Sequence, residues 1–311
     1  MMDQSDLAIS ASHLRKEFGK KTAVKDFTLD VSQGEVFGFL GPNGAGKTTA
    51  VKMMMGLIHP TSGSASMLGS PIGDRVARTR IGFLPEHFRF HEWLQAAEFL
   101  DLHGRLYGMS PAARKERIPE LLDLVGLARS ADTRLSSFSK GMLQRIGLAQ
   151  ALINSPELVF LDEPTSGLDP LGRRLVRDII RDLRNRGITV FLNSHFLSEI
   201  ELTCDRVSFI RQGEILRVAS LEELANETLL VDLRIGNPDQ ETISGLEMFG
   251  SDIRYDESED LIHISLTDEE QIPEIVSWLI GQGQKVYELS PQRLSLEERF
   301  LQIVGDEMLD A

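Results

Sequence analysis

The sequence predicts an α/β protein: a parallel sheet covered by helices, antiparallel strands ahead of it, and a small α+β domain after it. Four short apolar runs are separated by segments long enough for helices: Val36–Leu40, Ile81–Leu84, Leu158–Leu161 and Ile188–Leu192. Such runs are typical of parallel strands that are buried on both faces. Residues Leu7–Val31 instead alternate polar and apolar side chains, which is the pattern of half-exposed antiparallel strands.

Helical and hairpin patterns complete the first domain. Residues from about His91 to Ala128 have a mostly helical pattern, and an amphipathic helix follows Ser139, so a helical subdomain is expected at about residues 91–150. The apolar runs Val207–Ile210 and Ile215–Val218 flank Arg-Gln-Gly-Glu, which predicts a hairpin that closes the domain. The first domain is therefore expected to span residues 5–220.

Short strands and one helix predict the second domain. Leu230–Ile235 and Leu261–Leu266 have strand patterns, and a helix is expected near Pro273–Gly281. We expect the boundary near residues 220–228 and a small α+β domain over residues 226–311. A chain of 311 residues is long enough for two such units.

Charge and cysteine content narrow the class of partner. The segment from Leu221 onward carries 22 of the 47 acidic and 5 of the 33 basic side chains. This excess of acid argues against nucleic acid or anionic lipid as its target, and it fits either a solvated surface or an acidic interaction surface. The single cysteine, Cys204, excludes a disulfide framework and fits a reducing compartment. No secretory signal and no apolar run of membrane-spanning length is present, so a membrane partner would have to be another chain.

A phosphate-binding loop follows the first apolar run. Its residues are Gly41, Pro42, Asn43, Gly44, Ala45, Gly46, Lys47, Thr48 and Thr49, which match the pattern G-x-x-x-x-G-K-[ST]. Glycines let the backbone wrap tightly around phosphate and point its N–H groups inward, and the following helix adds the positive end of its dipole. Lys47 is expected to pair with the β- and γ-phosphates, and Thr48 to offer its hydroxyl to Mg²⁺.

An acidic pair ends the third apolar run. Asp162 is expected to hold Mg²⁺, directly or through water, and Glu163 to orient and deprotonate the attacking water. All four runs end in groups that can do chemistry, and ligands of parallel sheets bind at the carboxyl ends of the strands. Together the loop and the pair predict a nucleotide hydrolase.

In the order of these motifs, residues 7–218 resemble the ATP-binding subunit of ABC transporters, a family of P-loop NTPases. Phe138–Met142 stands where that family has its signature sequence, Leu-Ser-Gly-Gly-Gln, and Ser166–Asp169 matches its D-loop. The resemblance implies that Ser139 and Gly141 grip the γ-phosphate of a nucleotide bound by the opposite subunit. It also implies that His195 contacts the γ-phosphate and that Phe18 stacks on adenine, although Phe18 also fits a core position.

Three residues depart from the family pattern. Glu86 replaces a glutamine, and it can still reach Mg²⁺ or its water but adds negative charge beside the phosphates. Lys140 replaces the first glycine of the signature pair, and Met142 replaces its glutamine, which removes a polar contact. These variants and the tail segment Ser295–Leu301 resemble the subfamily that is paired with type-2 exporter permeases. Two roles are considered for the tail: it stabilises the dimer or regulates it, or it is a passive cap.

Aromatic residues are concentrated just after Glu86. The segment Phe88–Leu102 contains Phe88, Phe90, Trp93 and Phe99. Its spacing is typical of an amphipathic helix that packs on the core. The alternative is a partly exposed groove that receives a cytoplasmic helix of the permease.

These inferences predict an ATPase subunit that hydrolyses MgATP at a head-to-tail interface, either in a homodimer or with a paired ATPase subunit. It would lie in the cytoplasm, on the inner face of the membrane, and would drive a separate permease, with export favoured over import. Nucleotide-binding contacts are expected from Lys140 and from Asp169 of the D-loop as well. A rival hypothesis is a soluble ABC ATPase that acts on ribosomes or DNA. A single cassette, the absence of a heptad run and the acidic tail argue against nucleic acid as a partner.

Overall fold

The computed structural model describes residues 6–87, 90–226, 229–236, 238–256, 258, 260–293 and 295–305. By its internal contacts the chain divides into two compact units, Met1–Val218 and Ala219–Ala311. Within the described ranges, none of the helices has the length and apolar character needed to cross a bilayer.

Strands and helices alternate through most of the first unit. In chain order they are β1 (Leu7–Phe18), β2 (Lys21–Ser32), β3 (Val36–Leu40), α1 (Lys47–Met54), β4 (Ser62–Met67), β5 (Ser70–Pro71), α2 (Arg75–Thr79), β6 (Ile81–Leu84), α3 (Ala96–Leu106), α4 (Pro111–Leu124), α5 (Lys140–Ala151), β7 (Leu158–Asp162), α6 (Pro170–Asn185), β8 (Thr189–Asn193), α7 (Leu197–Thr203), β9 (Arg206–Arg211) and β10 (Glu214–Ser220).

The parallel part of the sheet has the order β9-β3-β8-β7-β6. Every residue of β3, β7 and β8 is buried, which explains why these strands read as continuous apolar runs. The rings of Phe37, Phe39 and Phe160 all lie within 5.7 Å of the ring of Phe191 and fill the core between neighbouring strands. The predicted parallel sheet is confirmed.

The antiparallel part of the sheet is larger than the sequence pattern predicted. β1 and β2 pair as expected, and β4 and β5 extend the sheet beyond β1. β4 has the sequence Ser-Gly-Ser-Ala-Ser-Met, whose small polar residues give no strand signal. β10 joins the two parts, because it lies between β2 and β9. The predicted hairpin of β9 and β10 turns at Gln212 and Gly213, both with positive φ, as a tight two-residue turn requires.

In the helical subdomain, the expectation of one amphipathic helix over Phe88–Leu102 is wrong. The segment that begins at Phe88 is not a single amphipathic helix, because α3 begins only at Ala96, after irregular backbone at residues 90–95. The Glu98 carboxylate accepts a hydrogen bond from the Gln95 backbone N–H and fixes this late start. Phe88 itself lies outside the described residues.

The second unit contains a four-stranded antiparallel sheet in the order β12-β13-β11-β14. Its elements are α8 (Leu221–Asn226), β11 (Leu229–Ile235), α9 (Gln240–Gly245), β12 (Ser251–Asp256), β13 (Leu261–Leu266), α10 (Gln271–Gly281), β14 (Val286–Arg293) and α11 (Leu296–Val304). Val231, Ile264 and Leu279 belong to its own buried apolar cluster. The predicted small α+β fold is confirmed, and the expected tail segment lies at the start of α11.

Candidate functional site

A cleft of about 680 Å³ opens where β3, β6, β7 and β8 end. We call it the phosphate-loop cleft. Among the predicted site residues it is lined by Pro42, Asn43, Gly44, Gly46, Lys47, Thr48, Thr49, Glu86, Glu163 and His195. The structure therefore brings together side chains that are more than 150 residues apart in sequence. Gly41, Ala45 and Asp162 do not line the cleft, although each is adjacent in sequence to a residue that does.

Glycine is required at two positions of the loop. Gly46 has φ +104° and is the N-cap of α1, and a Cβ there would lie 2.5 Å from the carbonyl oxygen of Ala23. A Cβ on Gly41 would collide with the carbonyl oxygen of Ile210 on β9. The loop is thus confined between β2 and β9, which directs the N-terminus of α1 toward the cleft.

The ammonium group of Lys47 lies against the loop itself. Its Nζ donates hydrogen bonds to the carbonyl oxygens of Gly41, at 2.5 Å, and Pro42, at 3.1 Å. Burial lowers the pKa of Lys47, whereas the negative charges of Glu163, Asp162 and Glu86 act in the opposite direction. A half-buried cation among three carboxylates and a helix N-terminus is suited to an anionic ligand.

Asp162 is the buried last residue of β7, with 5% of its surface exposed. Its Oδ1 accepts a hydrogen bond from Asn193 Nδ2 at 2.5 Å, because the two residues are in register on adjacent parallel strands. Burial raises the pKa of Asp162 despite that bond, and the charge of Glu86 adds to the rise. The contribution of Asn193 was missed from the sequence, since only the pairing of β7 with β8 brings it to Asp162.

Glu163 is fixed by three backbone and side-chain contacts. Its backbone has φ +52°, an uncommon conformation for a residue with a side chain. One carboxylate oxygen accepts from the His195 backbone N–H at 2.9 Å, and the other lies 2.7 Å from His195 Nδ1. Gln144 Nε2 donates to the Glu163 carbonyl oxygen at 3.0 Å. Burial raises the pKa of Glu163, and the bond to His195 partly offsets this rise.

The residues present fit a magnesium ion. Thr48 lines the phosphate-loop cleft, and Asp162 is a buried carboxylate whose charge lacks a cation at ion-pair distance within the described residues. Among those residues no three His, Cys, Asp or Glu side chains form a metal-binding group. Mg²⁺ usually takes only one or two protein carboxylates and keeps water and phosphate oxygens as its other ligands. One hydroxyl and one carboxylate are therefore a suitable set.

We expect Asp162→Asn to raise the thermal stability of the nucleotide-free protein near pH 7.5 by a few degrees. The folded-state pKa of Asp162 is raised, so the folded protein binds the proton more tightly than the unfolded chain and loses stability as the pH rises above 3.8. The amide avoids that cost and can still accept from Asn193. Thermal unfolding at pH 4.0 and pH 7.5 measures the difference, which should shrink at the lower pH.

Asp178→Asn is the matched control, because this carboxylate on α6 is more than half exposed. It should change the melting temperature little at either pH. A destabilised Asp162→Asn protein at pH 7.5 would contradict the assignment of Asp162 as a buried charge whose burial is unfavourable without a cation.

Four predicted site residues lie in a different place, which we call the signature cleft. This cleft of about 500 Å³ is lined by Ser139, Lys140, Gly141 and Asp169, among others. Ser139 caps α5, its Oγ accepting from the Met142 N–H at 3.2 Å, and Asp169 caps α6, its Oδ1 accepting from the Gly172 N–H at 2.7 Å. Among the described residues, none lines both the signature cleft and the phosphate-loop cleft.

Phe18 is an exposed residue at the end of β1. Half of its surface, 51%, is accessible, so the alternative that it fills the core is wrong. Lys16 Nζ lies 5.0 Å from its ring centroid, and its strand partner Lys21 lines the phosphate-loop cleft. The ring is therefore beside the cleft and open to a planar ligand, although it is not itself part of the lining.

Comparisons with known proteins identify the family. The family model described as ABC transporter matches residues 24–166. An uncharacterised ABC transporter ATP-binding protein of Nostoc sp. is 52% identical over 66% of this chain, which corresponds to 62% of the length of that relative. A Nod factor export ATP-binding protein of Rhizobium sp. is 38% identical over 98% of this chain and 99% of its own length. A linearmycin resistance ATP-binding protein of Bacillus subtilis is 32% identical over 97% of this chain and its entire length.

Solved structures agree with these relatives. The ATP-binding subunit of an ABC transporter matches with a TM-score of 0.65 and 30% identity, over 70% of this chain and 91% of that one. A dimeric ATP-binding cassette in a post-hydrolysis state, bound to ADP and Pi, matches with a TM-score of 0.63 and 26% identity, over 68% of this chain and 98% of that one. With a phosphate loop, an acidic strand end and a signature helix in the expected order, this chain belongs to the family of ABC transporter ATP-binding proteins.

Proposed function

We propose that this chain hydrolyses MgATP in a seam between two of its copies and that it drives a separate membrane permease for export. The observation that carries the proposal is the separation of two clefts within one chain. The phosphate-loop cleft has Lys47, Thr48 and Glu163, whereas the signature cleft has Ser139 and the N-terminus of α5.

Each cleft has only part of what a triphosphate requires. The phosphate-loop cleft supplies a cation, a hydroxyl and a catalytic carboxylate, and the signature cleft supplies a further hydroxyl and backbone N–H groups at a helix N-terminus. Two copies in a head-to-tail arrangement would bring the signature cleft of one chain to the phosphate-loop cleft of the other. ATP would then bridge the copies, so its binding would favour the closed dimer. A related cassette bound to ADP and Pi is also a dimer.

Within the phosphate-loop cleft, Glu163 is the proposed general base. Its carboxylate is oriented by the backbone N–H and the imidazole of His195, so one oxygen can accept a proton from water while the imidazole holds the other. Lys47 would move its hydrogen bonds from the loop carbonyls to the phosphates. Thr48 and Asp162 would hold Mg²⁺, which neutralises phosphate charge when bound. Loss of the γ-phosphate would remove the bridge and reopen the dimer.

Export is favoured by two kinds of observation. Relatives matched over nearly the whole chain are named for Nod factor export and linearmycin resistance. Glu86, the signature variants and the C-terminal segment also resemble the type-2 exporter subfamily. We propose residues 226–311 as an extension of the cassette at residues 5–220, with a dimer-stabilising or regulatory role.

The permease contact is proposed at the helical subdomain, beside Trp93. The aromatic segment separates into two parts: Phe99 is fully buried and packs against Phe90 at 5.7 Å, whereas Trp93 is 69% exposed. Next to Trp93 in sequence, Leu94 lines a groove of about 520 Å³ together with Leu102 and Ile118. An exposed tryptophan beside a groove that combines these apolar side chains with Glu98, Asp101 and Arg105 is a suitable surface for an amphipathic helix of another protein.

We expect the full-length protein, expressed with its own permease, to be recovered with washed membranes, and Trp93→Ala to reduce that recovery several-fold. ATPase activity of the free subunit should change little, because Trp93 lies outside the phosphate-loop cleft. Phe90→Ala is the comparison variant and should lower both properties, since Phe90 packs on the core residue Phe99. Equal loss of recovery and activity in Trp93→Ala would indicate core packing instead of docking.

The same fractionation tests the rival hypothesis. An ABC ATPase acting on ribosomes would co-sediment with them and would be absent from washed membranes. The acidic C-terminal segment disfavours a nucleic-acid surface there. An importer would also be recovered with membranes, so only transport assays with the co-purified permease separate it from an exporter.

A further inference from the structure

Two departures from the family pattern have opposite charges and lie in different clefts. Glu86 lines the phosphate-loop cleft, and Lys140 lines the signature cleft. The family pattern has uncharged residues at both positions. The proposed head-to-tail seam would bring these two clefts together, and hence these two charges.

Lys140 is a positioned cation without a partner among the described residues. It is the first residue of α5, whose first turn contains no acidic side chain, so it adds positive charge to the positive end of the helix dipole. Its alkyl chain covers Gly167, where a Cβ would lie 2.6 Å from the Lys140 Cε. Asp169, the carboxylate that shares the cleft, already accepts from the Gly172 N–H. Lys140 is exposed, so its charge is hydrated in the single chain and is accessible to an anion supplied by another copy.

Glu86 lies where negative charge is in excess, in contrast to the positive charge around Lys140. The Glu86 side chain is about half exposed, and among the described residues its ionisable partner within 4 Å is the exposed imidazole of His87, at 3.9 Å. Its charge is close enough to influence both Asp162 and Lys47. A triphosphate bound at Lys47 would add further negative charge beside three carboxylates, which makes an additional cation favourable when the seam closes.

We propose that Lys140 of one copy forms an ion pair with Glu86 of the opposite copy when ATP closes the dimer. This inference rests on the proposed function, because it requires the head-to-tail seam. It goes beyond the proposed function because it assigns a specific ion pair across that seam. Since the dimer contains two such sites, each substitution acts twice.

A double-mutant cycle in the Glu163→Gln background tests the pair. The variants are Lys140→Met, Glu86→Gln and the double substitution, and the measurement is the ATP-dependent dimer dissociation constant by sedimentation equilibrium. Methionine keeps the apolar stem over Gly167 and removes the charge. We expect Lys140→Met to raise the dimer dissociation constant about tenfold or more when Glu86 is present. In the Glu86→Gln background the factor by which Lys140→Met raises that constant should be smaller, by about threefold or more. Lys140→Arg should retain most of the affinity.

Several outcomes separate the inference from the proposed function. Absence of an ATP-dependent dimer in Glu163→Gln itself would contradict the proposed function. A dimer in which the two substitutions act additively, or in which Lys140→Met has no effect, would overturn the ion pair alone. Reduced ATP affinity of the Lys140→Met monomer, measured with a fluorescent ATP analogue, would place Lys140 in its own chain's site and overturn it too. Lys115→Met, an exposed lysine of α4, is the charge-matched control.

Discussion

The Glu163→Gln variant is expected to bind ATP, to hydrolyse it about 10²- to 10⁴-fold more slowly, and to accumulate as an ATP-dependent dimer. The amide keeps the size of the side chain and can still accept from the His195 backbone N–H, but it cannot take a proton from water. If hydrolysis opens the seam, blocking hydrolysis should leave it closed. Steady-state phosphate release and light scattering with and without MgATP measure the two effects.

The matched control for this variant is Glu157→Gln. Glu157 precedes β7, its side chain is about half exposed, and it pairs with Arg80, away from both clefts. Its substitution should leave hydrolysis close to that of the unsubstituted protein. Normal turnover by Glu163→Gln would show that another group activates the water, and the assignment of Glu163 as the base would be wrong.

Lys47→Met is expected to lower ATP affinity about 10- to 100-fold and to abolish detectable hydrolysis at moderate ATP concentrations. The ammonium already lies in the phosphate-loop cleft, where it bonds the loop carbonyls of Gly41 and Pro42. Without it, a triphosphate would face Asp162, Glu163 and Glu86 with no lysine from the loop to offset their charges. Equilibrium binding of a fluorescent ATP analogue is the appropriate measurement.

Lys52→Met, on the same helix but exposed at its other end, is the control for Lys47→Met. It removes the same charge from the protein and should change ATP affinity by less than about twofold, because exposed charges are screened by solvent. Similar losses in both variants would indicate a long-range effect of net charge instead of a contact at the phosphate-loop cleft.

Much of the fold followed from local patterns. Residues 36–40 and 158–161 formed recognisable strands because both faces are buried, so every side chain is apolar. β4 was missed because its small polar side chains carry no strand preference and its place in the sheet depends on pairing with β1. The start of α3 was placed too early because aromatic residues before Ala96 have helical spacing without helical backbone.

Part of the candidate site could also be predicted from local sequence patterns. The phosphate loop is contiguous, so its residues could be named from the sequence, and Asp162 and Glu163 were recognisable by their position after an apolar run. The exposure of Phe18 and the hydrogen bond from Asn193 to Asp162 could not be predicted, since both depend on strand register and packing.

The class of fold, the order of the motifs and the family could be predicted from the sequence alone, because each depends on residue types at short, fixed spacings. Which motifs meet within one chain depends on how the strands and helices pack. This packing gathers the loop, Glu86, Glu163 and His195 around one cleft and leaves Ser139, Lys140 and Gly141 at another. The two sites differ because neighbouring parallel strands end at the same edge of the sheet, whereas α5 begins in the helical subdomain, at a position that strand pairing does not determine.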